Sequence, residues 1–111
     1  MAIEISLSGI PPYKQTPANN ERERQVQNER REALKKKARE ICHSPSNDNL
    51  SLNITYWRHR GRADSANIIG GIADALQGVA YKNDRQIKTI HYCEKEGKGD
   101  QYTISISVEE K

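Results

Sequence analysis

The chain combines segments in which every second residue is apolar with longer segments in which apolar residues recur every three or four positions. The first pattern is typical of half-buried β-strands. It occurs in four segments: residues 3–7, 50–57, 87–92 and 102–108. The second pattern predicts two helices, over residues 17–41 and 67–79. The predicted order is therefore strand, helix, strand, helix, strand, strand.

This order predicts an α+β fold in two layers, with a mixed sheet of about four strands and both helices on one face. The last two strands are separated by the charged turn KEGKGDQ, so we expect them to form a hairpin. We expect residues 1–111 to form a single domain, because a chain of this length supports one modest core. Pro17 fits the first turn of the long helix, with Thr16 as its cap. The narrow apolar stripe of that helix suits packing on the sheet or against a twin helix.

The composition indicates a thin core in a charged chain. Apolar residues make up 34% of the sequence, there is no Phe, and the formal net charge is +3. A thin core often gains support from a second subunit, so we expect a homodimer. The two cysteines and the absence of a long apolar run favour a cytoplasmic protein without membrane contact. We expect both cysteines to be small, partly buried hydrophobic residues rather than zinc ligands or a disulfide.

Positive charge is concentrated in residues 30–39 and again in residues 58–62, where Arg58, Arg60 and Arg62 alternate with other residues. Clustered arginines suit a polyanionic partner such as DNA better than the modest net charge suggests. A solvated surface is nevertheless the commoner explanation for any single charged run.

Three aspartates follow the second basic run: Asp64, Asp74 and Asp84. Carboxylate oxygens bind the hard divalent cations that assist phosphodiester cleavage, and arginines hold the phosphates. Asp64 and Asp84 could bind one Mg²⁺ if the fold brings them together. Ordinary structural roles are also open. Asp64 suits a helix N-cap, Asp84 suits a turn, and Asp74 could pair with a nearby cation.

Two adjacent glycines, Gly70 and Gly71, interrupt the second predicted helix. Each costs about 1 kcal/mol relative to alanine in a helix, so their presence requires a compensating reason. The usual reason is close approach of another backbone or of a ligand. The sequence leaves open which of the two applies.

The segment from Arg62 to Ile87 resembles the RusA-type Holliday junction resolvases. In that family a basic run leads into R-x-x-D-x-D-N-x-x-K, then a helix ending in D-A-L, an aromatic residue and a D-D-x-Q-V/I turn into a strand. This chain offers, in the same order, Arg62, Asp64, Asn67, Asp74, Ala75, Leu76, Gly78, Tyr81, Asp84, Gln86 and Ile87. Pro11 and Pro12 are similar to the proline pair of the family, and the order of elements agrees along nearly the whole chain.

The resemblance implies a dimeric endonuclease that uses Mg²⁺, or Mn²⁺ in its place, to nick four-way DNA junctions in recombination and repair. It implies that Asp64 and Asp84 are metal ligands and that Arg58, Arg60 and Arg62 contact DNA phosphates. We add two candidates of our own to this set: Asp74 as a further catalytic carboxylate and Lys82 as a further DNA-binding cation.

Three positions depart from the family pattern: Ala66 replaces a carboxylate, Gly70 replaces a lysine, and Asn83 replaces an aspartate. Asp74 is a candidate to replace the missing ligand, in open space beside the glycine pair. Lys82 and Lys88 are candidates to replace the missing cation. Two alternatives to a nuclease therefore stay open. One is a degraded relative that binds nucleic acid without cleaving it, and the other is a small dimeric assembly protein.

Overall fold

A computed structural model of the chain describes residues 2–14 and 20–109. Its helices and strands, in chain order, are β1 (Ala2–Ser8), α1 (Glu21–Ile41), β2 (Leu50–Arg58), α2 (Ser65–Leu76), β3 (Ile87–Glu96) and β4 (Gln101–Val108). A short 3-10 turn, Asp84–Gln86, leads into β3. The two helices and four strands occur in the predicted order.

The strands form one mixed sheet in the order β1-β4-β2-β3. β4 is antiparallel to both of its neighbours, and β3 is parallel to β2 because α2 makes a crossover between them. The predicted hairpin of the last two strands is wrong, since β2 lies between β3 and β4. Burial explains the arrangement: β4 buries Tyr102, Ile104 and Ile106 as a central strand, whereas Ile90 of β3 is 45% exposed at the edge.

Both helices cover the same face of the sheet, which confirms the two-layer α+β prediction. Leu34 of α1 and Ile68, Ile72 and Leu76 of α2 are buried in one core with the inward side chains of the strands. Burial of this apolar surface is the main force that holds the layers together. No helix in residues 2–14 and 20–109 is both long and apolar enough to cross a membrane.

α1 begins at Glu21, four residues after its predicted start. The side chain of Asn20 caps the helix by accepting the backbone N–H of Glu23 at 3.0 Å. The predicted cap Thr16 and the predicted first-turn residue Pro17 lie outside the described residues.

The first turns of α1 also anchor the segment that precedes it. Gln27 is buried, and its Oε1 accepts the backbone N–H of Tyr13 at 2.9 Å. The Tyr13 hydroxyl donates to the carboxylate of Glu23, which also accepts from Gln27. These contacts fix Tyr13 against α1 and so place its neighbour Lys14.

α2 begins two residues before its predicted start and ends three residues before its predicted end. Asp64 is the N-cap, and its carboxylate accepts the backbone N–H of Asn67 at 2.9 Å. The helix stops at Leu76 because Gln77 is extended and Gly78 adopts a positive φ of 85°. The buried Tyr81 then donates its hydroxyl to the Ala73 carbonyl at 2.5 Å and packs the following turn beneath the helix end.

Candidate nucleic-acid interface

Residues 58–62, called the arginine loop below, leave the carboxyl end of β2. Arg58 points its guanidinium back into the loop, where it donates to the carbonyls of Gly61 at 2.7 Å and Ala63 at 2.8 Å. It also pairs with Glu94 of β3 at 2.7 Å and lies 5.0 Å from the ring centroid of Tyr56. The hydrogen bond that Arg58 donates to Glu94 raises the pKa of Arg58, and the same contact lowers the pKa of Glu94. Arg58 therefore shapes the loop instead of offering its guanidinium freely to DNA.

A single carboxylate, Asp100, holds the rest of the arginine loop. Its Oδ1 accepts the backbone N–H of His59 at 2.9 Å and of Gly61 at 3.2 Å, and its Oδ2 accepts that of Arg60 at 2.8 Å. The buried hydroxyl of Tyr56 donates to Oδ1 as a fourth hydrogen bond. The loop backbone thus wraps around one negative charge, while the side chains of Arg60 and Arg62 are exposed on its outer side.

The protonation states agree with this geometry. Partial burial acts to raise the pKa of Asp100, but the hydrogen bonds from His59, Tyr56, Arg60 and Gly61 outweigh burial and hold the pKa well below its usual range. Burial raises the pKa of Tyr56, and its hydrogen bond to Asp100 raises that pKa further. At neutral pH the pair is therefore a phenol donating to a carboxylate.

Gly61 is required where the arginine loop closes over Tyr56. A Cβ atom at position 61 would lie 2.0 Å from the Tyr56 hydroxyl oxygen and 3.2 Å from its Cζ. Since Tyr56 is fully buried, it has little room to move away. Sequence reasoning missed Asp100 because its contacts are about 40 residues away along the chain; an isolated acid in a glycine-containing turn was the only local signal.

Beside the arginine loop lies a groove of about 330 Å³, called the basic groove below. Three arginines line it: Arg60 and Arg62 from the loop and Arg30 from α1. Arg30 lies 6.0 Å from the ring centroid of Tyr13, which also lines the groove. None of the ion pairs found in residues 2–14 and 20–109 involves these three arginines. Their charge is therefore available to an anionic ligand.

Arg30 joins the basic groove because α1 crosses the sheet next to the arginine loop. The sequence placed Arg30 only in the first basic run, for which a solvated face was the commoner explanation. The structure shows instead that the two basic runs meet at one site. The acid that lines the groove is Glu23, and its carboxylate is already engaged by Tyr13 and Gln27.

The predicted metal ligands Asp64 and Asp84 lie at opposite ends of α2. Asp64 is the N-cap, whereas the backbone N–H of Asp84 donates to Oε1 of Gln77, the C-cap residue, at 3.2 Å. A helix of 12 residues is about 18 Å long, so one ion at ligand distance cannot bridge the two carboxylates within a chain. Across the described residues no group of three or more His, Cys, Asp and Glu side chains is placed to hold a metal ion.

Asp74 lies at the same end of α2 as Asp84. Burial raises the pKa of Tyr81 first, and the negative charges of Asp84 and Asp74 raise it further, which shows that both acids are near this phenol. Asp74 is therefore not beside Asp64, where a replacement ligand was expected. Lys82 is also at this end, since its backbone N–H donates to Gln86 Oε1 at 2.9 Å. The predicted DNA-binding cation Lys82 is thus separated from the arginine loop by the length of α2.

At the glycine pair of α2 another stretch of backbone packs closely against the helix. Close approach of backbone was one of the two explanations that the sequence allowed for these glycines, and approach of a ligand was the other. A Cβ atom at Gly71 would lie 2.6 Å from the carbonyl oxygen of Pro12 and 2.6 Å from Cα of Tyr13. The segment containing Pro12 and Tyr13 therefore fills the space that was assigned to Asp74 as a substitute ligand. The expected open space beside the glycine pair is therefore absent at Gly71, and a ligand role of Asp74 stays a prediction.

A model of the family described as Endodeoxyribonuclease RusA matches residues 10–109. The chain belongs to the RusA family. The match covers the basic groove, the arginine loop, both predicted metal ligands and all of the sheet except β1. No curated protein matches the chain.

In the RusA pattern a lysine occupies the position of Gly70. Here the side chain of Lys14 reaches that position from outside the helix: its Cδ lies 3.3 Å from the place that a Cβ of residue 70 would take. The backbone N–H of Lys14 donates to the Asn67 carbonyl at 3.0 Å, which fixes it over the first turns of α2. Lys82 and Lys88 were the sequence candidates for this cation, but Lys14 is the lysine that lies over Gly70.

The two cysteines of this RusA-family chain differ in exposure. Cys42 is partly buried, as expected, and burial raises the pKa of its thiol. Cys93 is exposed on β3, so the expectation of a partly buried residue is wrong for it. The reason is that Cys93 is aligned with Thr55 of β2, on the sheet face that the helices do not cover, in a strand at the edge of the sheet.

Proposed function

We propose that this RusA-family protein binds branched DNA, with a four-way junction as its substrate, and nicks it as a Mg²⁺-dependent endonuclease in recombination and repair. The observation that carries the proposal is the basic groove, in which arginines from α1 and from the arginine loop converge on one surface. A groove of this kind suits the phosphate backbone of DNA, which attracts clustered guanidinium groups regardless of sequence.

The way in which Asp100 holds the arginine loop supports DNA binding. Four hydrogen bonds to one carboxylate fix the backbone that carries Arg60 and Arg62 before any ligand arrives. A preorganised loop loses less conformational entropy when it binds than a flexible one does. Each arginine then needs only to order its own side chain against a phosphate.

The expected strength of salt dependence follows from the number of arginines. If Arg30, Arg60 and Arg62 each neutralise one phosphate, affinity per chain falls about 40-fold between 50 and 200 mM salt. Binding of this kind positions the DNA backbone without reading bases. Preference for a junction then depends on how two grooves are placed in a homodimer, which we propose as the acting form.

The metal ion fits a single chain poorly. By likeness to the family, Asp64 and Asp84 would hold Mg²⁺, which would supply charge stabilisation at the scissile phosphate. In one chain these acids lie at opposite ends of α2, and Asp64 already uses its carboxylate as a helix cap. A single chain therefore offers a DNA-binding groove without an assembled metal site.

A second candidate function is junction binding without cleavage. Ala66 and Asn83 replace two carboxylates of the family pattern with neutral side chains. Loss of charge in a metal site weakens binding of the ion and support of the transition state. This candidate predicts the same groove and the same salt dependence as the nuclease.

A labelled four-way junction, incubated with and without Mg²⁺ or Mn²⁺, tests both candidates. The nuclease predicts metal-dependent nicks that disappear in Asp64→Asn but persist in the matched control Asp48→Asn, which changes an exposed acid in the loop before β2. Salt-sensitive junction binding without nicks in either metal would establish the second candidate instead. Failure to bind the junction even at low salt would refute both and leave the assembly protein.

A further inference from the structure

Trp57 is the last residue of β2 that faces away from the helices. Its neighbour Tyr56 is buried in the core, and because strand side chains alternate, the indole lies on the face of the sheet that the helices do not cover. Trp57 is the only tryptophan of the chain, and it is half-buried. The residues that follow it form the arginine loop. The indole therefore stands where the uncovered face of the sheet meets the cations of that loop.

Trp57 lines a cleft of about 210 Å³ on this face, called the tryptophan cleft below. Gln101 of β4 is paired with Trp57, and Ser8 of β1 is paired with Gln101, so the three side chains form one row across three strands. Ser6 and Thr103 lie in the next row, and their hydroxyl oxygens are 3.2 Å apart. The cleft thus combines one large aromatic ring with an amide and small hydroxyl groups. None of the described residues that line it is charged.

The indole is held at its base and approached by a cation at its ring. A Cβ atom at Gly97 would lie 2.9 Å from Cβ of Trp57, so the turn between β3 and β4 packs directly against the start of this side chain. Lys95 of β3 is aligned with Trp57, and its Nζ lies 5.8 Å from the ring centroid, within the range of a cation–π contact. Since Lys95 is exposed, its ammonium group approaches the ring from solvent. A ring that is open to solvent beside a cation suits a flat aromatic ligand that carries negative charge.

A third cleft, of about 460 Å³, lies between the tryptophan cleft and the basic groove, where β1 ends and β4 begins. It shares three lining residues with the tryptophan cleft and two with the basic groove, respectively Leu7, Ser8 and Tyr102, and Ile10 and Arg30. Two acids line it: Asp100, whose carboxylate is engaged by the arginine loop, and the exposed Glu29. Clefts with common wall residues lie side by side. A strand of nucleotides can therefore pass from the basic groove around the end of the sheet to the indole.

We propose that Trp57 stacks on an unpaired nucleobase of the DNA that the basic groove holds, and that this contact favours branched DNA over a continuous duplex. The inference rests on the proposed function, because it takes DNA as the ligand of the basic groove. A nucleobase suits both parts of the tryptophan cleft. Its flat face matches the indole, and its hydrogen-bonding edge matches the amide of Gln101 and the hydroxyl groups. Lys95 lies beside the ring, where it can meet the phosphate of the same nucleotide.

Access to the faces of the bases explains the preference for branched DNA. In a continuous duplex both faces of each base are covered by its stacked neighbours, and unstacking a base costs free energy. At a branch point the stack is interrupted, so a base face is exposed at a lower cost. Every base has such a face, and the contact is therefore expected to tolerate all sequences.

The fluorescence of the single tryptophan is a direct probe of stacking. Wild-type protein is titrated at low salt with a single-stranded DNA oligonucleotide. The matched control is an oligonucleotide of the same length in which every base is replaced by an abasic site. The two carry the same phosphate charge, but only the first can stack. The first should quench the emission of Trp57, and the second should bind more weakly and leave the emission unchanged.

Three other results of this titration would overturn the inference in distinguishable ways. Equal quenching by both oligonucleotides would mean that phosphate contacts alone account for the change in emission. Absence of quenching by either one, together with binding of a labelled four-way junction, would refute the base contact and leave the DNA-binding groove intact. Absence of all DNA binding would refute the proposed function as well.

Substitutions of Trp57 test the preference for branches. Loss of one base–aromatic stack weakens binding by about 5- to 100-fold, so Trp57→Ala should weaken binding of a four-way junction by that factor and binding of an intact duplex much less. Trp57→Phe keeps an aromatic ring and should restore most of the junction affinity. The control His91→Ala removes an exposed ring from the same face, away from the cleft, and should change neither affinity. An equal loss on junction and duplex in Trp57→Ala, or no loss on either, would refute the inference.

Discussion

Replacing Asp100 should release the arginine loop without touching any group that contacts DNA. The carboxylate accepts three backbone N–H groups and the Tyr56 hydroxyl, and none of these contacts involves an arginine side chain. In Asp100→Ala all four donors lose their acceptor. In Asp100→Asn the remaining carbonyl oxygen can keep the three donors of Oδ1, and only the Arg60 N–H faces an amide that cannot accept it.

The loss of folding stability in each variant follows from the hydrogen-bond donors that the substitution leaves without an acceptor. A hydrogen bond to a charged group contributes about 1.5–3 kcal/mol. The backbone N–H groups of His59 and Arg60 belong to exposed residues and can turn to water, whereas the Tyr56 hydroxyl is attached to a buried ring. We therefore expect Asp100→Ala to destabilise the folded protein by about 2–4 kcal/mol and Asp100→Asn by about 1–2 kcal/mol.

Two measurements check this expectation. Amide hydrogen exchange at His59, Arg60 and Gly61 should accelerate in both variants, more in Asp100→Ala, because the loop opens locally. Junction affinity should fall in the same order, while the control Lys98→Ala, an exposed residue in the same turn, should leave the exchange rates of these amides unchanged. Unchanged amide exchange and wild-type junction affinity in Asp100→Ala would refute the role assigned to this carboxylate.

Three further predictions concern the same region. Gly61→Ala should destabilise the protein by more than about 2 kcal/mol in chemical denaturation, because its Cβ would overlap the Tyr56 hydroxyl, whereas Gly99→Ala meets no atom within 4 Å and should be tolerated. Because folding lowers the pKa of Asp100, the folding stability that its carboxylate contributes is fully present above the unfolded pKa of about 3.9. That contribution is lost as the pH falls through the folded pKa. The difference in unfolding free energy between wild type and Asp100→Ala should thus be constant above about pH 5 and shrink below about pH 4. Lys14→Ala should reduce junction nicking or binding more than the control Lys37→Ala, an exposed cation of α1, because the Lys14 side chain lies over Gly70, where the family pattern has a lysine. Equal effects of the two lysine variants would contradict this.

The elements of the fold could be predicted from local patterns, because alternation and helical periodicity depend on neighbouring residues. Asp64 was recognised as a possible N-cap for the same reason, and the structure shows that role. The order of strands could not be predicted in the same way. The position of β4 between β1 and β2 depends on whether β3 or β4 buries more apolar surface as a central strand. The order of elements along the chain is equally compatible with a hairpin of β3 and β4.

The contacts of the site are non-local, which explains what the sequence did not reveal. Asp100 reaches the arginine loop across about 40 residues, and Lys14 reaches Gly70 across more than 50. The separation of Asp64 and Asp84 is different, because it follows from the length of α2 alone. A helix with one acid at each end keeps the two acids apart by about 1.5 Å per residue within one chain.

The salt dependence of junction binding tests the central claim most directly, since that claim is that Arg30, Arg60 and Arg62 form one phosphate-binding groove. Binding of wild type, of Arg60→Ala/Arg62→Ala and of the control Arg85→Ala, an exposed arginine beyond the far end of α2, is measured over a series of salt concentrations. The double variant should bind more weakly and lose about 1.8 from the slope of log affinity against log salt per chain, while the control keeps the wild-type slope. An unchanged slope in the double variant would contradict the account, whatever the protein does to the DNA.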